Sequence, residues 1–295
     1  LFGKVTLPVI RVPSLARTVL FANPHARCCG CEHDHCPSGS VTMSLRKSVG
    51  FLAACLCMSG SVLASEPADG GSVVGKVILD GTAPTLTPLV KSGDANVKDK
   101  EVCGAADVPD ESLVVGDKGG VANVFVYLRR APKGYKAPEV KDQLVLDQKG
   151  CVFLPHAAVI RVGQTILVKS SDAVQHNLHT FPQRNDPSNL LIKASEDKGV
   201  ALKYTKPESD PIEVKCDIHA WMSSYHLILD HPFMAVTDKD GNFKIEGLPA
   251  GTHELRVWHE RAGLLEKEYK VDVKAGAEKA IELKYAVAKF PAKKK

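Results

Sequence analysis

Ile212-Glu213-Val214-Lys215-Cys216-Asp217-Ile218-His219-Ala220-Trp221-Met222 starts as a strand and finishes as a loop. Over its first five residues apolar and charged side chains alternate. Ile212, Val214 and Cys216 therefore share one face, and Glu213 and Lys215 the other. The apolar face points inward, which seats Cys216 at the end of a rigid sheet strand. Past the cysteine the alternation stops, and His219 and Met222 follow at intervals of three. Upstream, Gln175-His176-Asn177-Leu178-His179 offers another imidazole from a distant strand, with His176 standing 40 positions before Cys216. A thiolate, two imidazoles and a weak thioether form a donor set that suits copper. An isolated inward cysteine is more often an inert buried thiol; the neighbouring histidine and methionine argue for the ligand. Zinc is the nearest rival, but structural zinc sites take four strong ligands, and methionine is an unusual fourth.

The pattern elsewhere is β throughout. Short apolar, β-branched or aromatic runs at 73–79, 124–128, 143–146, 159–168, 225–229, 243–245, 255–258, 269–273 and 281–285 are separated by Gly, Pro and Asp turns. Strands at this spacing predict an all-β chain of sandwiches or Greek-key barrels. No long amphipathic helix is expected, and the polar stretch from Asp186 to Lys206 is read as holding at most a helical turn. Asp240-Gly241 marks a hairpin. Asp238, Asp240 and Asn242 have the look of a calcium loop, but its twelfth position is Pro249 rather than Glu, so the turn is preferred.

The N-terminal region reads as an export signal. Met43 to Lys47 is a short basic segment, Val49 to Leu63 an apolar one, and Val62-Leu63-Ala64 precedes Ser65 as a cleavage site. Residues 1–42 are then expected to be an over-extended gene start, 43–64 a signal peptide cleaved near Ala64-Ser65, and the mature protein periplasmic or secreted. Without residues 1–64, acidic and basic residues are equal in number, and the formal charge of +4 disappears. That removes the compositional case for nucleic acid as a partner. Of nine cysteines only Cys103, Cys151 and Cys216 remain. In an exported protein two of them should pair: Cys103 and Cys151 are the candidate disulfide, and Cys216 is left for the metal. No apolar run of about 20 residues follows the signal, so no membrane span is expected.

From Val140 to Asp230 the sequence resembles the cupredoxin family, most closely its amicyanin and plastocyanin branch. Arg161 to Val168 is similar to the strand-turn-strand before the first copper ligand, His176-Asn177-Leu178-His179 to the His-Asn-x-His segment, and Cys216 to Met222 to the short ligand loop. The resemblance implies one type 1 (blue) copper, with His176, Cys216 and His219 as strong ligands and Met222 as the long axial one. It also implies that Asn177 ties the two ligand loops together. Family members commonly carry Pro after the second histidine, where this chain has Ala220.

The stretch from Ala235 to Trp258, with its Asp240-Gly241 hairpin and Leu248-Pro249-Ala250-Gly251 turn, resembles carboxypeptidase regulatory-like, transthyretin-type β-sandwiches. So do Gly75 to Pro84 and Val121 to Leu128. The expected organisation is a sandwich split between 71–136 and 232–286, a cupredoxin domain at 137–231 inserted into it, and a basic tail at 287–295. Two consecutive domains, with the early strands in the copper domain, are the simpler alternative.

These resemblances imply a single-electron carrier between redox protein partners, docking at an apolar patch of Ala220 and Trp221 beside an exposed edge of His219. A copper module for storage, delivery or sensing is the alternative, and a structural protein that binds nothing is a third. The chain carries no Gly-x-Ser-x-Gly elbow, phosphate loop or dinucleotide fingerprint, so no enzymatic activity is expected. His156, His179, His226, His231, His253 and His259 are read as structural or surface residues.

Overall fold

The computed structural model of the chain describes residues 70–292. The proposed gene start, the signal peptide with its cleavage site and the last three lysines of the tail lie outside them. The regular secondary structure of the described residues is almost entirely β. In chain order the strands are β1 (Gly71–Asp80), β2 (Phe125–Leu128), β3 (Leu144–Gln148), β4 (Phe153–Leu154), β5 (Ala157–Arg161), β6 (Ile166–Val168), β7 (His176–Phe181) and β8 (Asn189–Ile192). They continue with β9 (Val200–Leu202), β10 (Ile212–Lys215), β11 (Ser223–Leu229), β12 (Met234–Val236), β13 (Asn242–Leu248), β14 (Gly251–His259), β15 (Gly263–Val273) and β16 (Glu278–Ala286). A single-turn helix, α1 (Lys100–Cys103), stands between β1 and β2, and a 3₁₀ turn (Val287–Lys289) follows β16. No helix among the described residues is long and apolar enough to cross a membrane.

Four sheets form, in the orders β13-β1-β16, β12-β2-β14-β15, β5-β11-β10-β7-β8 and β4-β3-β6-β9. The first two face each other across a core that includes Val73, Val77, Val126, Phe243, Leu255 and Val271. This split sandwich takes its strands from both ends of the described chain. The other two sheets enclose a second core, with Phe153, Ile160, Ile166, Leu178, Ile192 and Val214. This inserted sandwich takes its strands from the middle.

A third apolar cluster joins the sandwiches. Phe125 and Tyr127 on β2 and Met234 on β12 pack against Ala157 on β5 and Tyr225, Leu227 and Leu229 on β11. The alternate residues Val126 and Leu128 face the split core, and Ile228 faces the inserted one. β2 and β11 are thus buried on both faces. That is why Phe125-Val126-Tyr127-Leu128 and Tyr225-His226-Leu227-Ile228-Leu229 read as almost unbroken apolar runs rather than alternating ones. Polar bonds pin the edge of the junction: Tyr127 Oη and Arg256 Nη1 each donate to Asp210 Oδ1 at 2.9 Å.

Asp186 to Lys206 departs from expectation. It holds strands β8 and β9 and no helical turn among the described residues. Both strands lie at sheet edges, and each buries only its last residue, Ile192 or Leu202. One apolar residue per strand leaves no period to read. The 238–242 turn is as expected: Asp238 Oδ1 accepts the amides of Asp240 and Asn242 at 2.9 and 2.8 Å, and Gly241 supplies the φ of +80°. A second departure concerns Val97, Val102 and Cys103. They fall within 71–136 yet pack into the inserted core, because a disulfide joins Cys103 to Cys151.

His226 lies wholly inside the inserted sandwich, its Nδ1 accepting from Tyr204 Oη at 3.0 Å. Burial lowers its pKa from 6.5 to about 3. The unfolded chain therefore binds a proton that the folded one refuses as pH falls from about 6.5 towards 3. The stability this histidine supplies is complete above about pH 6.5 and is lost below it. His226→Gln should flatten the difference in urea stability between pH 7.5 and pH 4.5 by about 3 kcal/mol relative to wild type. An identical pH dependence in the two proteins would show that His226 titrates normally.

Candidate metal centre

Antiparallel pairing of β10 with β7 places Lys215 opposite His179 and Val214 opposite Thr180. One register step further sets Cys216 opposite Leu178, and His176, two residues along β7 on the same face, comes within reach of the sulfur. The loop after Cys216 folds back on itself, with the Met222 amide donating to the His219 carbonyl at 2.9 Å and the Cys216 amide to the Met222 carbonyl at 3.3 Å. His219 is carried inward by this turn. The ligand atoms of His176, Cys216 and His219 all lie within 4.8 Å of one another, and all three residues are buried. His176 Nδ1 is 2.9 Å from His219 Nδ1, which is itself 3.9 Å from Cys216 Sγ. Met222 is 1% exposed and belongs to the same core.

Asn177 binds both ligand loops. Its Oδ1 accepts the Asp217 and Ile218 amides at 2.7 and 3.4 Å and lies 3.3 Å from Cys216 Sγ. Its Nδ2 donates to Asp217 and Asn189 at 2.8 Å each. His179 sits outside the centre, half-buried, paired with Asp217 at 3.1 Å.

Two carboxylates that the sequence reading did not single out complete the surround. His176 Nε2 donates to Asp172 Oδ2, and His219 Nε2 to Asp99 Oδ2, both at 2.9 Å. Asp172 also accepts the Gly150 amide at 2.6 Å and the Cys151 amide at 2.9 Å. Each outer nitrogen thus carries a proton to a carboxylate, and each Nδ1 turns inward towards the sulfur. Two ring lone pairs and a thiolate converging on one point require a compensating cation, and this is how the residues fit a soft metal ion.

The electrostatics agree. Burial alone would push the Cys216 thiol up, but hydrogen bonds from His176, His219 and nearby amides override it and bring the pKa down to about 6. Burial likewise opposes charge on His176, yet its bonds to Asp172 and Cys216 raise it to about 9. At neutral pH Cys216 is therefore a thiolate and His176 carries a second proton beyond the one it gives Asp172, which a metal ion would displace.

One expectation is corrected. His219 has no exposed edge: it is fully buried, because the segment around Asp99 closes over it. Ala220 is exposed, and Trp221 is half-buried with its ring 5.3 Å from that of His219. Trp221 Nε1 donates to the Cys151 carbonyl at 3.1 Å. The outer side of Ala220, Trp221 and Met222 forms one wall of a groove of about 490 Å³, facing Leu86 and Glu111.

The sequence matches no protein-family model and no curated protein. Among solved structures it is similar to a copper-containing nitrite reductase from Thermus scotoductus SA-01, at 21% identity and a TM-score of 0.28, over 34% of this chain. The match spans only 25% of that reductase. An oxidised amicyanin variant matches at 17% identity and a TM-score of 0.27, over 35% of this chain and 98% of its own. A purple cupredoxin from Nitrosopumilus maritimus matches at 13% identity and 0.25, over 29% and 99%. Likeness at this level defines neither activity nor partner.

Proposed function

We propose that the protein is an exported copper protein whose inserted sandwich is a cupredoxin domain carrying one type 1 copper and moving single electrons between redox proteins. The observation that carries this reading is the convergence of His176 Nδ1, His219 Nδ1 and Cys216 Sγ in a buried site, with both imidazoles oriented by carboxylates. His176, Cys216 and His219 would be the strong ligands and Met222 the weak one. Copper bound there supplies a one-electron cuprous–cupric couple.

The chain's own residues suit that couple. Strands β7 and β10 hold His176 and Cys216, so the donor positions cannot follow a change in preferred geometry. Asn177 fixes the distance between their loops, and the buried surround excludes water. Every donor is supplied by protein, which favours electron transfer over turnover of a substrate. Partners would dock at Ala220 and Trp221, since Trp221 reaches the surface and packs its ring 5.3 Å from that of His219. The split sandwich, which the sequence likens to the transthyretin type, would serve as the platform.

Loading the full chain with cupric ion should give one copper per chain and an intense visible absorption, with a fast reversible voltammetric couple. Sub-stoichiometric copper would sink the reading. Stoichiometric copper with a slow, irreversible couple would favour the second one, a module for copper storage or delivery. The carboxylate partners of both imidazoles, which tune metal affinity, are the observation in favour of that alternative.

A further inference from the structure

The disulfide and the two carboxylates around the metal centre form one connected device. Cys151 gives its amide to Asp172, which holds His176, and its carbonyl to Trp221, which packs on His219. Its disulfide partner Cys103 ends the helical turn that Asp99 begins, and Asp99 holds His219. The amides of Val102 and Cys103 both donate to the Asp99 carbonyl at 2.9 Å, so the position of Asp99 follows that of Cys103. Both ends of the device are conformationally forced: Asp99 has φ +54° and Cys151 φ +57°, a left-handed region that non-glycine residues adopt only when the surroundings hold them there. Val97 and Val102 seat the segment on the inserted core. Asp99 itself is partly exposed, whereas His219 beneath it is not.

We propose that Asp99 is a positioning residue whose carboxylate, held in place by the Cys103–Cys151 disulfide, shuts the outer edge of His219 and so controls passage of copper into and out of the centre. The proposal rests on the copper reading above, but the closure belongs to the protein alone. A ligand histidine can release a metal ion only by rotating or moving outward. Here its outer nitrogen is bonded to a carboxylate anchored to the same disulfide that anchors the other histidine. Loss of the Asp99 oxygen frees one ring; loss of the disulfide frees the supports of both.

Two measurements on the full chain test it. The first follows cuprous ion passing from the loaded protein to the chelator bathocuproine disulfonate. Asp99→Ala should speed transfer about 10-fold or more, within the range for loss of a ligand's hydrogen-bond partner. Asp99→Asn keeps an oxygen for the His219 N–H and should stay within about 3-fold of wild type. Glu101→Ala, an exposed charge on the same turn, should change nothing. The second follows alkylation of Cys216 by iodoacetamide in metal-free protein, read by mass on the peptide that contains it. Asp99→Ala and the Cys103→Ser/Cys151→Ser pair should both accelerate it. Alkylation of Asp99→Ala at the wild-type rate would overturn the closure, whatever the protein does with copper. Failure of the wild type to take up copper would overturn the copper reading and leave the alkylation result to decide the closure.

Discussion

Cys216→Ser should abolish the intense visible absorption of the copper-loaded protein. The band requires a thiolate bound to the metal, and Cys216 is the only cysteine among the described residues that is not in a disulfide. Serine is nearly isosteric, so the strand end and the Asn177 contacts should persist while the donor changes from a thiolate to a neutral hydroxyl. The pKa argument sharpens the expectation. The wild-type sulfur ionises at about 6 in this surround, whereas a serine hydroxyl stays protonated and offers copper little. Affinity should fall by more than the roughly 10–100-fold typical of losing a partner one step removed from the metal. Met222→Leu is the contrasting case: three strong donors remain, so copper and colour should persist while the reduction potential rises. Titration with cupric ion under visible detection checks both variants. Colour that survives in the serine protein would place the copper elsewhere.

The second large effect concerns stability. Cys103→Ala together with Cys151→Ala should cost about 4 kcal/mol, the chain-entropy value for opening a loop whose ends are 48 residues apart. For a domain of this size that corresponds to a fall in Tm on the order of 10 °C. The loop in question runs from α1 through β2 and β3 and spans both sandwiches, so its release should loosen their junction as well as the metal centre. Urea unfolding of the metal-free protein measures the effect without any contribution from bound metal. A loss below about 1 kcal/mol would mean that residual structure in the reduced, unfolded chain already holds the ends of this loop together.

The cluster of candidate donors was legible because its information is local. Three donors on one loop at intervals of three, after an alternating strand, can be read without knowing the fold. His176 needed only a second strand, and its neighbour Asn177 came with the same segment. Asp99 and Asp172 could not be read this way. Asp99 stands 120 positions before His219, and no spacing rule relates a carboxylate to an imidazole at that range. The one available signal was the pairing of Cys103 with Cys151: it brings residues just before 103 next to whatever surrounds 151. Asp172, four positions before His176, carries no signature that separates it from other loop aspartates. The exposed His219 edge was inferred from the cupredoxin resemblance and was lost for the same reason, since the covering segment comes from outside the resembling stretch. In the fold, strands with a clear two-residue period or a continuous apolar run were visible, and the edge strands β8 and β9, with one apolar anchor each, were not.

The doubly covered strands β2 and β11 set a boundary on what can be cut out of this protein. Residues 137–231 look like a portable cassette on paper, continuous in the chain and bearing all four donors. Excised, that piece would turn Ala157, Tyr225, Leu227 and Leu229 towards water and would leave Cys151 without its bridge. The greasy sheet face would invite self-association, and the hole over His219 would admit solvent. Host and guest in this chain depend on each other, so any transplant of the candidate metal site must carry both strands of the seam and the turn at Asp99 along with it.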